Sequence, residues 1–409
     1  MGTNDPRRQL LLELLRAALA AVEGRQCTRQ ALRGLPAASY WVAAVGKAAS
    51  SMALGASDAL GAHLRRVLLI TKEGHVAREA FELPDVDVCE SSHPVPDERC
   101  LQAGARLLRF VEEIPEHVLP IFLVSGGASS LVEVLAPGFT LQDLQRLNMD
   151  GLSSAIDIEE LNARRRVCSR IKGGRLAALL RGRSARALFI SDVPGNDPAV
   201  IGSGVLGPAP GASGRAGAAD GIERTVIASI EMAMHAVSAR AHGLPVHVES
   251  RRVTETAERL AVRLAHELAV SATPVRVWGG ETVVRLPEHP GRGGRNQHLA
   301  LSAARLIAGY EDLRLLAVGT DGTDGPTADA GALVDGNTCA RAASSGVDVD
   351  DCLRRADSAA ALEAAGDLVH TGPTGTNVGD LIIGLKLSAA AAAEWLRAAP
   401  SSHASARDR

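Results

Sequence analysis

Aromatic side chains are scarce in this chain: Phe, Trp and Tyr together make up 2% of the 409 residues. So few rings leave little on which to stack bases or sugars, which argues against single-stranded nucleic-acid binding. Ala, Leu, Val and Ile must then build the core. An excess of one charge is lacking as well. Lys plus Arg number 44 against 47 Asp plus Glu, a formal net charge of -3, so no global field draws the chain to DNA or to an anionic membrane. Any anion it binds must be recognised locally. The six cysteines (Cys27, Cys89, Cys100, Cys168, Cys339 and Cys352) include no C-x-x-C pair, which argues against a zinc site and predicts reduced thiols in a cytoplasmic protein. Long uncharged apolar runs are missing too. Residues 10–22 are interrupted by Glu13 and Arg16 and lack a small-residue cleavage site, so they read as an amphipathic helix and not as a signal peptide or a membrane span. Neither G-x-S-x-G nor H-E-x-x-H occurs.

What is present describes a globular enzyme-sized chain, with 46% apolar and 22% charged residues and a length that suits two or three domains. Apolar, β-branched segments alternate with helical patterns, the signature of parallel sheets covered by helices, so the fold class is α/β. Strands are expected at 40–45, 67–71, 121–125 and 187–191, each ending at Gly, Ser, Lys or Asp. Ligands of open α/β sheets bind beyond the carboxyl ends of strands, which makes these ends the places to search. The Gly-, Pro- and Ser-rich stretch 202–221 reads as a long loop, followed by a helix at 223–241, a strand at 245–248, a helix at 254–270 and a strand at 275–278. The division expected is an N-terminal domain over 1–238, a C-terminal domain over 239–400 and a disordered tail over 401–409.

Four glycine-rich segments carry the candidate chemistry. Ser125-Gly126-Gly127-Ala128-Ser129-Ser130 follows a strand, and its bare N–H groups suit an anion. Ser191-Asp192-Val193-Pro194-Gly195-Asn196-Asp197-Pro198 also follows a strand, where an aspartate can hold Mg²⁺ or accept a hydroxyl proton. An Asx-turn cap is the structural alternative. Residues 319–327 place Asp321 and Asp324 among glycines, suited to a cation, to hydroxyls or to a purely structural turn. Thr371-Gly372-Pro373-Thr374-Gly375-Thr376-Asn377 is dense in hydroxyls and amides that suit a polyphosphate. Lys47 after Val45-Gly46 can neutralise a carboxylate or phosphate, although Trp41 stands where a Walker A motif needs Gly. Lys172 stands before two glycines in a basic run, 162–175, and Arg295-Asn296 opens a helix after Gly293-Gly294, where it could clamp a phosphate. His93, after Ser92, is the histidine placed in a site-like loop, whereas His298 reads as a solvent-facing or satisfied side chain. Gly202-Ser203-Gly204-Val205-Leu206-Gly207 matches a dinucleotide fingerprint as text, but Pro208 and Pro210 follow where a helix should open.

These motifs, in this order and over nearly the whole chain, resemble the class II glycerate kinases, whose C-terminal part is the MOFRL domain. The resemblance implies two Rossmann-like α/β domains with the active site in the interdomain cleft, and phosphorylation of D-glycerate by ATP with Mg²⁺, typically at the 2-hydroxyl. It makes Lys47, Asp192 and Arg295 catalytic candidates, with Asp192 and Asp197 toward the metal. Walls for substrate and phosphate would come from Ser92, His93, Ser125, Gly126, Gly127, Ser129 and Lys172 in the first half. Asn296, Asp321, Asp324, Thr371, Thr374, Gly375, Thr376 and Asn377 would supply the second. The partners implied are small molecules, a hydroxy acid and ATP, with no nucleic acid or membrane; a homo-oligomer is left open. The sequence departs from the family pattern at Ala128, Val167, Asn196, Val205, His298 and Gly379. Those changes keep other readings in play: a kinase of another small hydroxy acid or polyol, a hydroxypyruvate reductase, or a binding protein without turnover.

Overall fold

The computed structural model describes residues 5–152, 158–208 and 220–398, with no side-chain account of 150–162. The expected tail 401–409, the middle of the 202–221 loop and the side chain of Asn162 lie outside the described residues. Two compact units emerge, and each is made of non-contiguous chain.

The first unit comprises Ala21–Ile230 and Pro373–Gly379. Its sheet contains β1 (Ser39–Val45), β2 (Leu64–Lys72), β3 (Val86–Ser91), β4 (Val118–Val124), β5 (Ala185–Ser191) and β6 (Ile222–Ser229). All pairings are parallel, in the order β3-β2-β1-β4-β5-β6. That is the strand order of doubly wound dinucleotide-binding sheets. Helices cover the faces, so the inner strands read as unbroken apolar runs; Val42 to Val45, Val67 to Ile70 and Ile121 to Val124 are all buried. The helix Glu98–Glu113 shows how the sequence sets such a cover. Asp97 caps its start by accepting from the Arg99 N–H at 2.9 Å, and Cys100, Ala103, Leu107 and Phe110 bury one stripe.

The segment expected as one helix over 223–241 is instead β6 followed by the helix Ile230–Arg240. β6 is an edge strand, so its outer half carries exposed Glu223 and Thr225 and half-buried Arg224 and Val226, a mixed pattern that imitates a helix face.

The second unit comprises the described residues up to Ala20, Glu231–Gly372 and the chain from Asp380 onward. Its sheet contains β7 (Val246–Val248), β8 (Val275–Gly280), β9 (Leu313–Gly319), β10 (Gly331–Asp335), β11 (Leu368–Val369) and β12 (Asp380–Lys386), in the order β11-β10-β9-β12-β8-β7. Only β7 and β8 pair in parallel; the other four pairings are antiparallel. The α/β class holds, but the parallel pairing expected from the alternation of strands and helices is corrected for this sheet. β9 and β12 are buried along nearly their whole length, and an unbroken apolar run carries no information about strand direction. The connection 320–330 contains no helix to serve as a crossover, so β10 returns antiparallel beside β9.

Two chain crossings are invisible to a linear division at residue 238. The helix Pro6–Ala21 lays Leu10, Leu11, Leu14, Leu15 and Ala18 into buried positions, and Asp5 before it pairs with Arg314 of β9 at 2.9 Å. The short stretch Pro373–Gly379 belongs to the first unit, where the Gly375 carbonyl accepts from the Gly24 N–H at 3.0 Å.

Candidate functional site

In the first unit the strand order reverses direction between β1 and β4, and open α/β sheets bind ligands beyond the strand ends at such a switch point. Gly46-Lys47 leaves β1 there and Ser125-Gly126-Gly127 leaves β4. The two loops are stitched together: the Lys47 N–H donates to the Gly126 carbonyl at 2.9 Å, and the Ala48 N–H donates to the buried Ser125 hydroxyl at 3.0 Å. A side chain on Gly126 would displace its neighbours, and one on Gly127 would be strained by the backbone and tightly packed. A Cβ on Gly126 would fall 2.0 Å from Asn377 Nδ2 and 2.1 Å from Asp192 Oδ2; one on Gly127, at φ +86°, would meet His93 Cδ2 at 3.1 Å and Lys47 Cγ at 3.2 Å. Four chemistry-bearing side chains from four separate segments therefore converge on two bare residues. Asn377 also donates to Asp192 Oδ2 at 3.4 Å. Nearby in sequence, the buried hydroxyls of Ser91 and Thr376 have no hydrogen-bond partner among the described residues.

Other candidates take structural posts. Ser92 donates to the Val95 carbonyl at 2.6 Å. Ser129 exchanges a hydrogen bond with Ser203 at 2.9 Å. Lys172, expected to meet phosphate, is completely buried; its Nζ donates to Glu133 Oε2 at 2.5 Å and to the Ser129 carbonyl at 2.6 Å. Ser169 completes the network by donating to Glu133 Oε1 at 2.5 Å. The ammonium is committed beneath the glycine loop, so its part is to position that loop. Asp197, expected toward a metal, caps a turn by accepting from the Ala199 N–H at 2.8 Å. Thr374 accepts from the Thr376 N–H at 3.4 Å, and Gly375, at φ +73°, turns the chain between them.

The second unit gathers a separate polar cluster at the start of the helix Arg295–Leu306. Asp380 enters from β12 and takes Arg295 in a fork, Nε to Oδ2 at 2.7 Å and Nη2 to Oδ1 at 3.0 Å. Asp324 receives the N–H groups of Asn296 at 3.1 Å and Gln297 at 2.7 Å, which caps the helix from a distant loop. Asn296 Nδ2 bridges Asp324 and Asp380. Burial pushes the Asp324 carboxyl up to about 7, with the neighbouring Asp380 adding to the rise and the two N–H donors opposing it. Burial likewise raises Asp380, against the pull of Arg295. Burial works against the Arg295 charge, but Asp380 and Glu281 outweigh it and hold the guanidinium well above its ordinary range. Asp321 closes a turn on Thr323, accepting from its N–H at 3.0 Å and its hydroxyl at 3.1 Å, and exposed Thr371 donates to the Gly372 carbonyl.

Glu133, Asp380 and Glu281 were not singled out from sequence as site residues. A lone acid inside the apolar run Leu131-Val132-Glu133-Val134-Leu135, and another opening the run 380–385, were the available signals. His298 is buried and satisfied, with Nδ1 3.0 Å from Ser358 Oγ and Nε2 3.0 Å from Glu258 Oε1, while Val167 is 64% exposed.

Strand order and convergence at the switch point define a doubly wound α/β unit with a candidate ligand site at its strand ends. Residues 10–238 match the family described as "Domain of unknown function (DUF4147)", and residues 274–380 match the MOFRL family. The chain is 35% identical to a D-glycerate 2-kinase of Thermotoga maritima, across 93% of this chain and 99% of that one. It is 32% identical to a glycerate 2-kinase of Pyrococcus horikoshii, over 85% and 87%, and 36% identical to a putative hydroxypyruvate reductase of Agrobacterium vitis, over 83% and 97%. The crystal structure of the Thermotoga maritima glycerate kinase superposes with a TM-score of 0.79 at 33% identity, covering 93% of this chain and 99% of that one. This chain belongs to the class II glycerate kinase family.

The Lys172–Glu133 pair has a measurable consequence. Lys172→Met leaves a buried carboxylate without its cation and should destabilise the protein by about 3–5 kcal/mol. Adding Glu133→Leu should restore most of that loss in chemical denaturation; a single variant as stable as wild type would show that the pair is not internal.

Asp324 gives a pH-dependent term. The fold raises this carboxyl from an ordinary 3.8 to about 7, so its contribution is present below the lower value and fades as pH rises through the upper one. The unfolding free energy of wild type minus that of Asp324→Asn should therefore fall between about pH 4 and 7. A difference that stays flat across this window would place the Asp324 carboxyl in its ordinary range.

Proposed function

We propose that this protein phosphorylates D-glycerate with ATP at the 2-hydroxyl, in the presence of Mg²⁺. The observation that carries the reading is the match over 93% of the chain to a D-glycerate 2-kinase, in a protein whose Lys47, His93, Asp192 and Asn377 meet at the switch point. Phosphoryl transfer asks a protein mainly for positioning and for neutralisation of charge. ATP, when bound, supplies the phosphoryl group.

Lys47 answers an anionic oxygen, either the glycerate carboxylate or a phosphate. Asp192 accepts the proton of the acceptor hydroxyl or contributes to holding the metal, and Asn377 steadies its carboxylate. The bare backbone of Gly126 and Gly127 lets a ligand approach closely, and the unpartnered hydroxyl of Thr376 fits a further polar contact. Among the described residues no three or more His, Cys, Asp or Glu side chains gather as metal ligands. A Mg²⁺ held by one carboxylate, waters and substrate phosphates needs no such cage.

The alternative of hydroxypyruvate reduction draws on the relative of that name. Against it, the G-x-G-x-x-G text at 202–207 begins inside the 3-10 turn Ile201–Gly204, with Gly202 and Ser203 left-handed, and not in a strand-to-helix turn. Free thiols at all six cysteines fit a cytoplasmic enzyme, and among the described residues no helix is long and apolar enough to cross a membrane.

ADP release measured with D-glycerate, L-glycerate, other short hydroxy acids and polyols should favour D-glycerate, and enolase should consume the product directly. NAD(P)H oxidation by hydroxypyruvate without ADP release would overturn the kinase reading. Lys47→Ala should lower kcat/KM by roughly a hundredfold or more, the scale of a lost electrostatic clamp. Asp192→Asn should lower kcat by about two orders of magnitude if the carboxylate takes the hydroxyl proton. Near-wild-type kinetics from either folded variant would remove that residue from the chemistry.

A further inference from the structure

Arg295 has two edges held by two different kinds of carboxylate. Its Nε and Nη2 edge is bound by Asp380, whose side chain is 1% exposed and which is fixed in turn by Asn296 Nδ2 at 3.0 Å and the Thr282 N–H at 3.4 Å. Its remaining donor, Nη1, is bound by Glu281 Oε1 at 2.5 Å, and that side chain is 56% exposed. Among the described residues the Glu281 carboxylate has no other hydrogen-bond partner, while its backbone N–H donates to the Val253 carbonyl at 3.0 Å. Asp380 opens β12, paired between β8 and β9, whereas Glu281 lies just past the end of β8.

The two pairs differ in what it takes to open them. Withdrawing Asp380 would strand a buried carboxylate and a guanidinium edge, which is strongly unfavourable. Withdrawing Glu281 releases an exposed side chain to water, where such pairs contribute little. With Asp380 and Glu281 both on one guanidinium, its charge is already over-compensated. An incoming anion therefore meets repulsion until Glu281 leaves.

We propose that Glu281 is a placeholder carboxylate, occupying the Nη1 edge of Arg295 until an anionic oxygen of a ligand displaces it, while Asp380 is the positioning residue that holds the guanidinium in place for the exchange. The inference rests on the kinase reading for the identity of the ligand, a carboxylate of glycerate or a phosphate of ATP. Glu281 then sets specificity by competition: only a group that binds the guanidinium better than an exposed glutamate gains the site.

The test measures equilibrium binding of D-glycerate alone and of ATP alone by titration calorimetry, beside the KM of each and kcat. Glu281→Gln removes the competing charge and keeps the shape. It should tighten binding and lower KM by about threefold or more for the ligand that uses Arg295, with the gain shrinking as salt is raised. A gain confined to D-glycerate assigns the edge to the carboxylate; one confined to ATP assigns it to phosphate. Glu281→Ala should reproduce the gain. Asp380→Asn should act in the opposite direction on the same ligand, and Asp380→Glu should restore part of the loss. Unchanged or weaker binding of both ligands by folded Glu281→Gln and Glu281→Ala overturns the proposal. Binding gains in a protein that releases no ADP would sink the kinase reading and leave the placeholder intact.

Discussion

The first unit depends on a steric constraint at the end of β4: a Cβ on Gly126 would displace Asn377 and Asp192, and one on Gly127, at φ +86°, would be strained and press on His93 and Lys47. Side chains from beyond β1, β3 and β5, and from the stretch Pro373–Gly379, fill the volume that Cβ atoms would need. A parallel sheet makes this convergence natural, because all its strands deliver their carboxyl ends to one edge. The arrangement also explains the buried charges behind it. Burying Lys172 and Glu133 is costly, and their attraction offsets that cost only because Ser169 and the Ser129 carbonyl satisfy the remaining donors and acceptors. The network fixes the segment into which the two glycines lead, so the loop is held from beneath by charge and from above by packing.

The second unit solves a related problem with the signs exchanged. Asp324 and Asp380 are both buried carboxylates, but they are treated unequally. Asp380 has a guanidinium across from it, while the hydrogen-bond donors to Asp324 are amides and burial pushes its carboxyl up to about 7. The same assignment decides what this unit can offer a ligand. The first N–H groups of the helix Arg295–Leu306 are spent on Asp324, and the electropositive helix end is answered internally. What is left for an outside anion is the one edge of Arg295 whose partner is exposed.

Much of the first unit is legible in the amino-acid sequence. Strand ends, glycine clusters and the order of motifs pointed to Lys47, Gly126, Gly127 and Asp192, and the structure brings these residues to one edge because doubly wound sheets place such ends together by rule. Strand direction in the second unit was not legible, since residues buried on both faces read alike in parallel and antiparallel sheets. Lys172 was misread for a different reason. A lysine before two glycines looks like a phosphate ligand until a distant Glu133 is found opposite it, and pairings across the chain leave no local trace. Asp197 and Asp321 show the converse, where the plain turn-forming alternative describes the geometry found.

Five of the six departures from the family pattern can be weighed by the packing and backbone they meet; the sixth, Val167, is 64% exposed. Ala128 and Val205 are 1% and 2% exposed in the core of the first unit, and His298 is satisfied inside the second. Asn196, at φ +53°, sits in a left-handed conformation that Asn and Asp tolerate about equally, so replacing the acid preserves the turn and removes one charge. Gly379, at φ +98°, occupies a backbone state that would strain an asparagine. These are adjustments of packing and backbone, and none of them is among Lys47, His93, Asp192 and Asn377. They therefore give no physical reason to exchange glycerate for another acceptor.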